Sequence, residues 1–331
     1  MDSVPGIGCP PELHVFCIPE AYDFDNGFKQ AACEARPFAV PARYVAPMVF
    51  FSRKHLGVTG LNEVALEHAI RDSAGLNAFI EVVARRFEAY RARRLHVFAE
   101  KTPINVNCAE LFCTHFPTGL FIHLVRDGRS VASSLIQRKF SLYEAAIIWI
   151  VQVVVGRAAA RLPTVLEIRY EDLVAAPFRI ARQIAQRVGL DAPEAVIEEQ
   201  FRNNAYRAHL PRVRAWRTAT FTGEVCGGLS YDGRLSAKNV AWLESVELLR
   251  AEPDGAEVVV AGFSELLRHY QYAPDARAQA MTPSPERHAA ILNEHLHKGR
   301  NRARWAGLRL AQVAGVVDPG PAEAPRAPTT G

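Results

Sequence analysis

Between Leu61 and Arg94 the apolar residues of "LNEVALEHAI" and "LNAFIEVVARRFEAY" recur at the spacing of one helix face, which predicts helix. Beyond this stretch the pattern becomes a short apolar run that passes directly into polar, helix-starting residues, and it does so three times. "LHVFA" leads to "EKTPINVNCAELF", "GLFIHLV" to "RDGRSVASSLIQ", and "TVLEIRY" to "EDLVAAPFRIARQIAQRVG". Strands alternating with helices predict right-handed crossovers and an α/β fold, a mostly parallel sheet flanked by helices. The most apolar stretch, "AAIIWIVQVVVG" at 145–156, is too short to span a bilayer and is followed by Arg157 and Arg161, so it reads as a buried helix. Residues 1–60 are irregular and proline-rich around one apolar run, "VAPMVFF", and 200–270 read as helix and loop, including "TFTGEVCGGLSYDGRLS".

After Tyr272 the composition shifts. "APDARAQAMTPSPER" reads as a linker and "HAAILNEHLHKGRNRARWAGLRLAQV" as a basic amphipathic helix. "DPGPAEAPRAPTTG" reads as a disordered Pro- and Ala-rich tail. The chain thus divides into an α/β domain over 1–272 and an appended linker, helix and tail over 273–331.

With 331 residues, 49% of them hydrophobic, the chain can bury a sizeable core. A net charge of +4 falls short of the dense basic face of a nucleic-acid binder, so no nucleic-acid partner is expected. Arginine outnumbers lysine, which suits bidentate recognition of an anion and equally reflects a GC-rich genome. Cys9, Cys17, Cys33, Cys108, Cys113 and Cys226 form no CxxC pair and read as free or buried thiols of a reducing compartment. No metal site is expected, since His295 and His297 diverge on a predicted helix. The start lacks the basic segment of a signal peptide, and the expected localisation is cytoplasmic.

In an open parallel sheet, ligands bind beyond the carboxyl ends of the strands, where loops meet helix N-termini. At the second junction Arg126 ends the strand "FIHLV", Asp127 is placed to cap a helix, and Ser130, Ser133 and Ser134 follow. A guanidinium beside a helix N-terminus and hydroxyls suits a phosphate; a pairing of Arg126 with a neighbouring carboxylate fits the same pattern. At the first junction Lys101 follows "HVFA", with Thr102 as cap and Pro103 at the first helical position. Lys101 can lean into the crevice or sit on the surface beside Glu100. At the third, Tyr170 ends the strand, Asp172 can cap the helix and Pro177 falls a few residues into it. Tyr170 can line an adenine site or only pack.

Taken together, "EKTP", "FIHLVRDGRSVASS" and "VLEIRYEDLVAAP", in this order, resemble the sulfotransferases that use 3′-phosphoadenosine-5′-phosphosulfate (PAPS). "RDGRSVASSLIQRK" is especially similar to the tyrosylprotein sulfotransferases and their bacterial relatives. The resemblance runs from about residue 95 to 178, with weaker support to the start and on to about 270. It implies a P-loop-NTPase-like sulfotransferase fold. The reaction it implies is sulfuryl transfer from PAPS to a hydroxyl of a small molecule, glycan, lipid or peptide tyrosine, without a metal. Arg126 and Ser134 match the pair that holds the 3′-phosphate. Lys101 matches a lysine that stabilises the transferring sulfuryl group, and Tyr170 a tyrosine near the adenosine. "SYDGRLSAKNVAWL" resembles the family's closing segment, which makes Arg234 a further cosubstrate-binding candidate.

The family's sheet begins with a strand and a Gly- and Ser/Thr-rich loop that cradles the 5′-phosphosulfate. Here "GIG" at 6–8 and "GVTG" at 57–60 lack a preceding apolar strand. "MDSVPGIGCPPE" is similar instead to the segment just downstream of that loop, so the expectation is an N-terminally incomplete domain with its first strand and loop missing. Glu12 then matches the acidic residue that removes the acceptor proton, although it also reads as a surface carboxylate. Two explanations stay open. Either the full protein carries the loop upstream of Met1, or the chain is a degraded, non-catalytic nucleotide-binding or scaffold relative. A kinase would need GxxxxGK[ST], which the chain lacks.

Overall fold

In the computed structural model, residues 1–10, 13, 15–17, 19–29, 62–203, 230–251, 256–280 and 289–291 are described. Strand β1 (Ile7–Gly8) is followed by helix α1 (Pro19–Tyr22) and a π-helical segment, Phe24–Lys29. The predicted helical stretch forms α2 (Glu63–Asp72) and α3 (Leu76–Arg91), parted at residues 73–75. Strand β2 (Val97–Phe98) leads into a 3-10 helix, Pro103–Cys108, and α4 (Ala109–His115). Strand β3 (Phe121–Val125) leads into α5 (Gly128–Gln137) and α6 (Leu142–Ala159). Strand β4 (Val165–Arg169) leads into α7 (Tyr170–Ala175), α8 (Pro177–Arg187) and α9 (Glu194–Arg202). The remaining elements are α10 (Ala237–Glu244), β5 (Glu247–Ala251), β6 (Glu257–Gly262), α11 (Phe263–His269), α12 (Ala276–Gln279) and β7 (Ala289–Ile291).

The alternation of strand and helix is therefore present, and the class is α/β. The contacts group into two units, one made of Met1–Val125 and Leu162–Gly228, the other of Arg126–Arg161 and Leu229–Gly331. In the first unit the described strands form two parallel pairs. Ile7 and Gly8 face Val97 and Phe98, and all five residues of β3 pair in register with β4, from Phe121 on Val165 to Val125 on Arg169. "GIG" thus lies partly in a strand. Its Gly8 packs so closely on Leu95 and Phe87 that a side chain there would overlap them, with 2.4 Å from its Cβ to Leu95 Cδ1. Arg93 anchors this start by donating to the carbonyls of Asp2, Val4 and Ile7 at 3.1, 2.9 and 2.7 Å.

Burial in this unit follows the helical spacing. Leu66, Ile70, Leu76, Phe79, Val83 and Phe87 are buried, and Phe79 stacks with Phe24 and Phe28. Ile180 and Ile184 of α8 pack on Ile168 of β4. The third junction differs from its prediction: β4 ends at Arg169, Tyr170 is already helical, and Pro177 starts a second helix rather than lying within the first. The pyrrolidine ring has no N–H to donate and tolerates the first helical turn, so the helix restarts there.

In the second unit the apolar helix α6 begins at a reciprocal cap. Glu144 N–H donates to Ser141 Oγ at 3.1 Å, and Ser141 N–H to Glu144 Oε2 at 2.8 Å. Its length and apolarity would also suit a membrane span, but most of it is buried inside the unit, as the uninterrupted apolar run predicts. The region predicted as helix and loop contains an antiparallel pair, β5 on β6, because "EVVVAG" is β-branched and favours an extended chain. Residues 289–291, predicted helical, pair parallel to β5 instead. Within the predicted linker, Asp275 caps α12 and Ala278 is buried.

Candidate functional site

The first junction is organised by a residue that the sequence pattern had set aside. Glu100 receives three donors: Leu13 N–H at 2.7 Å and the Thr102 hydroxyl at 2.5 Å on Oε1, and the Asn105 amide on Oε2. Thr102 occupies the N-cap position, but its hydroxyl turns back to Glu100 and makes no cap bond. Pro103 starts the 3-10 helix, as expected. Lys101 is exposed between them. Glu12 lies outside the described residues, but the peptide N–H that follows it, that of Leu13, is the one held by Glu100. At the third junction Tyr170 is half-buried at the first position of α7, and Asp172 approaches Arg169 at 3.9 Å rather than capping.

The second junction is built as predicted around its cap. Asp127 Oδ1 accepts from Arg129 N–H at 2.8 Å at the start of α5. Arg126 directly precedes it, half-buried, and its carbonyl accepts from Trp149 Nε1 at 3.0 Å. Gly128 admits that ring: a Cβ there would lie 2.7 Å from both Trp149 and Phe263. Ser130 and Ser134, four positions apart, share a helix face; Ser130 is buried and Ser134 half-buried. The helix N-terminus adds its partial positive charge at this point.

Arg129 is the residue that sequence reasoning missed. It is 2% exposed, and its guanidinium holds Asp127 through Nε at 3.1 Å and through a second N–H at 2.7 Å, and Glu244 at 3.0 Å. Its Cζ lies 4.7 Å from the centre of the Tyr231 ring. Burial pulls the Arg129 pKa down, but the bonds to Asp127 and the surrounding negative charge outweigh it, and the net shift is upward. Burial pushes the Glu244 carboxyl up, only partly offset by Arg129.

The same local geometry recurs at α12. Asp275 accepts from Arg277 N–H at 2.8 Å, from its Nε at 3.1 Å and from its second guanidinium nitrogen at 2.7 Å. Arg277 also pairs with Asp232 at 2.9 Å and lies 6.0 Å from the Tyr231 ring centre. Its bonds hold the Asp275 carboxyl well below the usual range. Burial pushes the Tyr231 hydroxyl up to about 12, Arg129 opposes this, and Asp275 adds to it, partly by accepting its hydrogen bond. The repeated Asp-x-Arg tripeptide was the signal available in the sequence. Arg234 is exposed in the turn that begins at Tyr231, whose carbonyl accepts from Arg234 and Leu235 N–H at 2.9 and 3.0 Å. Gly233, at φ +70°, supplies the left-handed residue this turn needs.

Lys101 and Tyr170 therefore belong to the first unit, and Arg126, Ser134 and Arg234 to the second. Among the described residues no group of three His, Cys, Asp or Glu side chains is arranged to hold a metal ion. In comparisons with known proteins, a family model described as the sulfotransferase family matches residues 1–194. No curated protein and no solved structure matches.

Proposed function

The chain belongs to the sulfotransferase family, and on that premise we propose that it transfers a sulfuryl group from PAPS to a hydroxyl acceptor. The observation that carries this reading is the second junction. There Arg126 stands between a five-residue parallel strand and a capped ten-residue helix, with Ser130 and Ser134 on one helix face. Arg126 and Ser134 hold the 3′-phosphate, with Arg234 as a further cation and Tyr170 at the adenosine. The two parallel pairs of the first unit then belong to one P-loop-NTPase-like sheet.

PAPS supplies the activated sulfuryl group; the chain's own residues position it and manage charge and protons. Sulfuryl transfer, like phosphoryl transfer, depends mostly on placement and on stabilising charge along an in-line path. Lys101 meets the negative charge that develops on the bridging and sulfuryl oxygens. Glu12 takes the proton of the acceptor hydroxyl, a role worth on the order of 10²–10⁴-fold. Glu100, next to Lys101, holds the Thr102 hydroxyl on its far side and the amide of Leu13, the residue after Glu12.

Calorimetry with adenosine 3′,5′-bisphosphate tests the assignment. Removing a charged hydrogen-bond partner costs about 1.5–3 kcal/mol, so Arg126→Ala should bind roughly 10- to 150-fold more weakly. Unchanged affinity removes Arg126 from the site, and a wild-type preference for ATP removes the cosubstrate. Transfer of label from radiolabelled PAPS completes the test; binding without turnover assigns the non-catalytic scaffold reading.

A further inference from the structure

The turn that carries Arg234 is exposed at Arg234 itself, with Asp232 and Gly233 exposed beside it. What seats it is Tyr231. The ring of this residue lies against the buried Arg129 guanidinium, at 4.7 Å, and 6.0 Å from the Arg277 guanidinium. Arg129 in turn grips Asp127, the cap that directly follows Arg126, and Arg277 ties Asp232 of the turn to Asp275. Two Asp-x-Arg caps, at the starts of α5 and α12, thus meet on one tyrosine, and each guanidinium is already oriented by its own aspartate. A guanidinium held flat by a carboxylate and buried from water is well suited to cation–π contact.

We propose that Tyr231 is a positioning residue: by seating on Arg129 it fixes the turn bearing Arg234 against the start of α5, and so sets how Arg234 and Arg126 act together on the 3′-phosphate. The inference rests on the nucleotide assignment above. Tyr231 does not itself touch the ligand, so its effect falls on the one feature that Arg234 reads. Ligands without a 3′-phosphate are insensitive to it.

The test compares adenosine 3′,5′-bisphosphate with adenosine 5′-monophosphate, by calorimetry, on the full chain. Wild type should prefer the bisphosphate. Tyr231→Phe keeps the ring over Arg129 and should keep that preference within about twofold. Tyr231→Leu loses the ring's quadrupole and should reduce the preference about tenfold, through weaker bisphosphate binding alone. Arg277→Gln, a change at a half-exposed side chain, frees Asp232 and should reduce it about threefold without altering the fold. A Tyr231→Leu protein that keeps the wild-type preference, or loses both ligands equally, overturns the inference while the cosubstrate assignment stands. If Tyr231→Leu does not fold, an unchanged preference in Arg277→Gln overturns it instead. A wild type with no preference overturns the 3′-phosphate assignment and the inference together.

Discussion

Replacing Gly128 by alanine adds one methyl group at the most crowded point of the second junction. Its Cβ would lie 2.7 Å from Phe263 Cζ and from the Trp149 ring, whereas carbon atoms rest at about 3.5–4.0 Å. The obstacle is a pair of packed rings, with centroids 4.5 Å apart, and not a flexible chain end. Trp149 must move by about an ångström, and its indole N–H then leaves the Arg126 carbonyl. Overpacking of this kind costs about 1–3 kcal/mol and the lost hydrogen bond about 0.5–1.5 kcal/mol. The helix preference of alanine over glycine returns at most about 1 kcal/mol. The expected net destabilisation is about 2 kcal/mol. Urea unfolding followed by tryptophan fluorescence measures it as a lower midpoint at unchanged slope. Because Arg126 loses the partner of its own carbonyl, affinity for adenosine 3′,5′-bisphosphate should fall in the same variant. A midpoint equal to wild type, or a loss under about 0.5 kcal/mol, would refute the claim that this glycine is required by ring packing.

Glu100→Ala removes the acceptor of Leu13 N–H, Thr102 and Asn105 together; it should cost about 3 kcal/mol in urea unfolding, and a loss under about 1 kcal/mol would contradict the hub. Asp275 has a folded pKa below its unfolded value, so its contribution is present at neutral pH and is lost as pH falls below about 4. Asp275→Asn should therefore be less stable than wild type at pH 7, and the difference should shrink from pH 4 downward in thermal melts; a gap constant with pH rules out the linkage. Burial pushes the Cys9 thiol up to about 11, so mass-spectrometric mapping at pH 8 should find it alkylated by iodoacetamide at least about tenfold more slowly than a free thiol in an unfolded peptide.

Strands β3 and β4 were legible because each is a five-residue, mostly apolar stretch, long enough to separate from the helix that follows it. Strand β1 was not, since two residues carry no period and their extended state depends on Val97 and Phe98 across the pair. The cap at Asp127 was readable from its place before a helix, a purely local rule. The burial of Arg129 was not, because it depends on Glu244, 115 positions away, and on Tyr231. A lone "DGR" predicts an exposed arginine; only a distant second carboxylate makes it a buried one. Thr102 shows the converse, where a correct cap position is overruled by a nearby carboxylate that competes for the hydroxyl. Glu12 and residues 204–229 lie outside the described residues.

The bonds from Arg93 to the first residues and from Leu13 to Glu100 close loops of 86 to 91 residues. Such contacts repay their closure entropy only after the intervening chain has condensed. The residues these bonds hold, Asp2, Val4, Ile7 and Leu13, should then be the last of their unit to dock during folding and the first to detach. Their docking would lag behind the recovery of helical signal on refolding, with the Leu13 amide as its slow reporter.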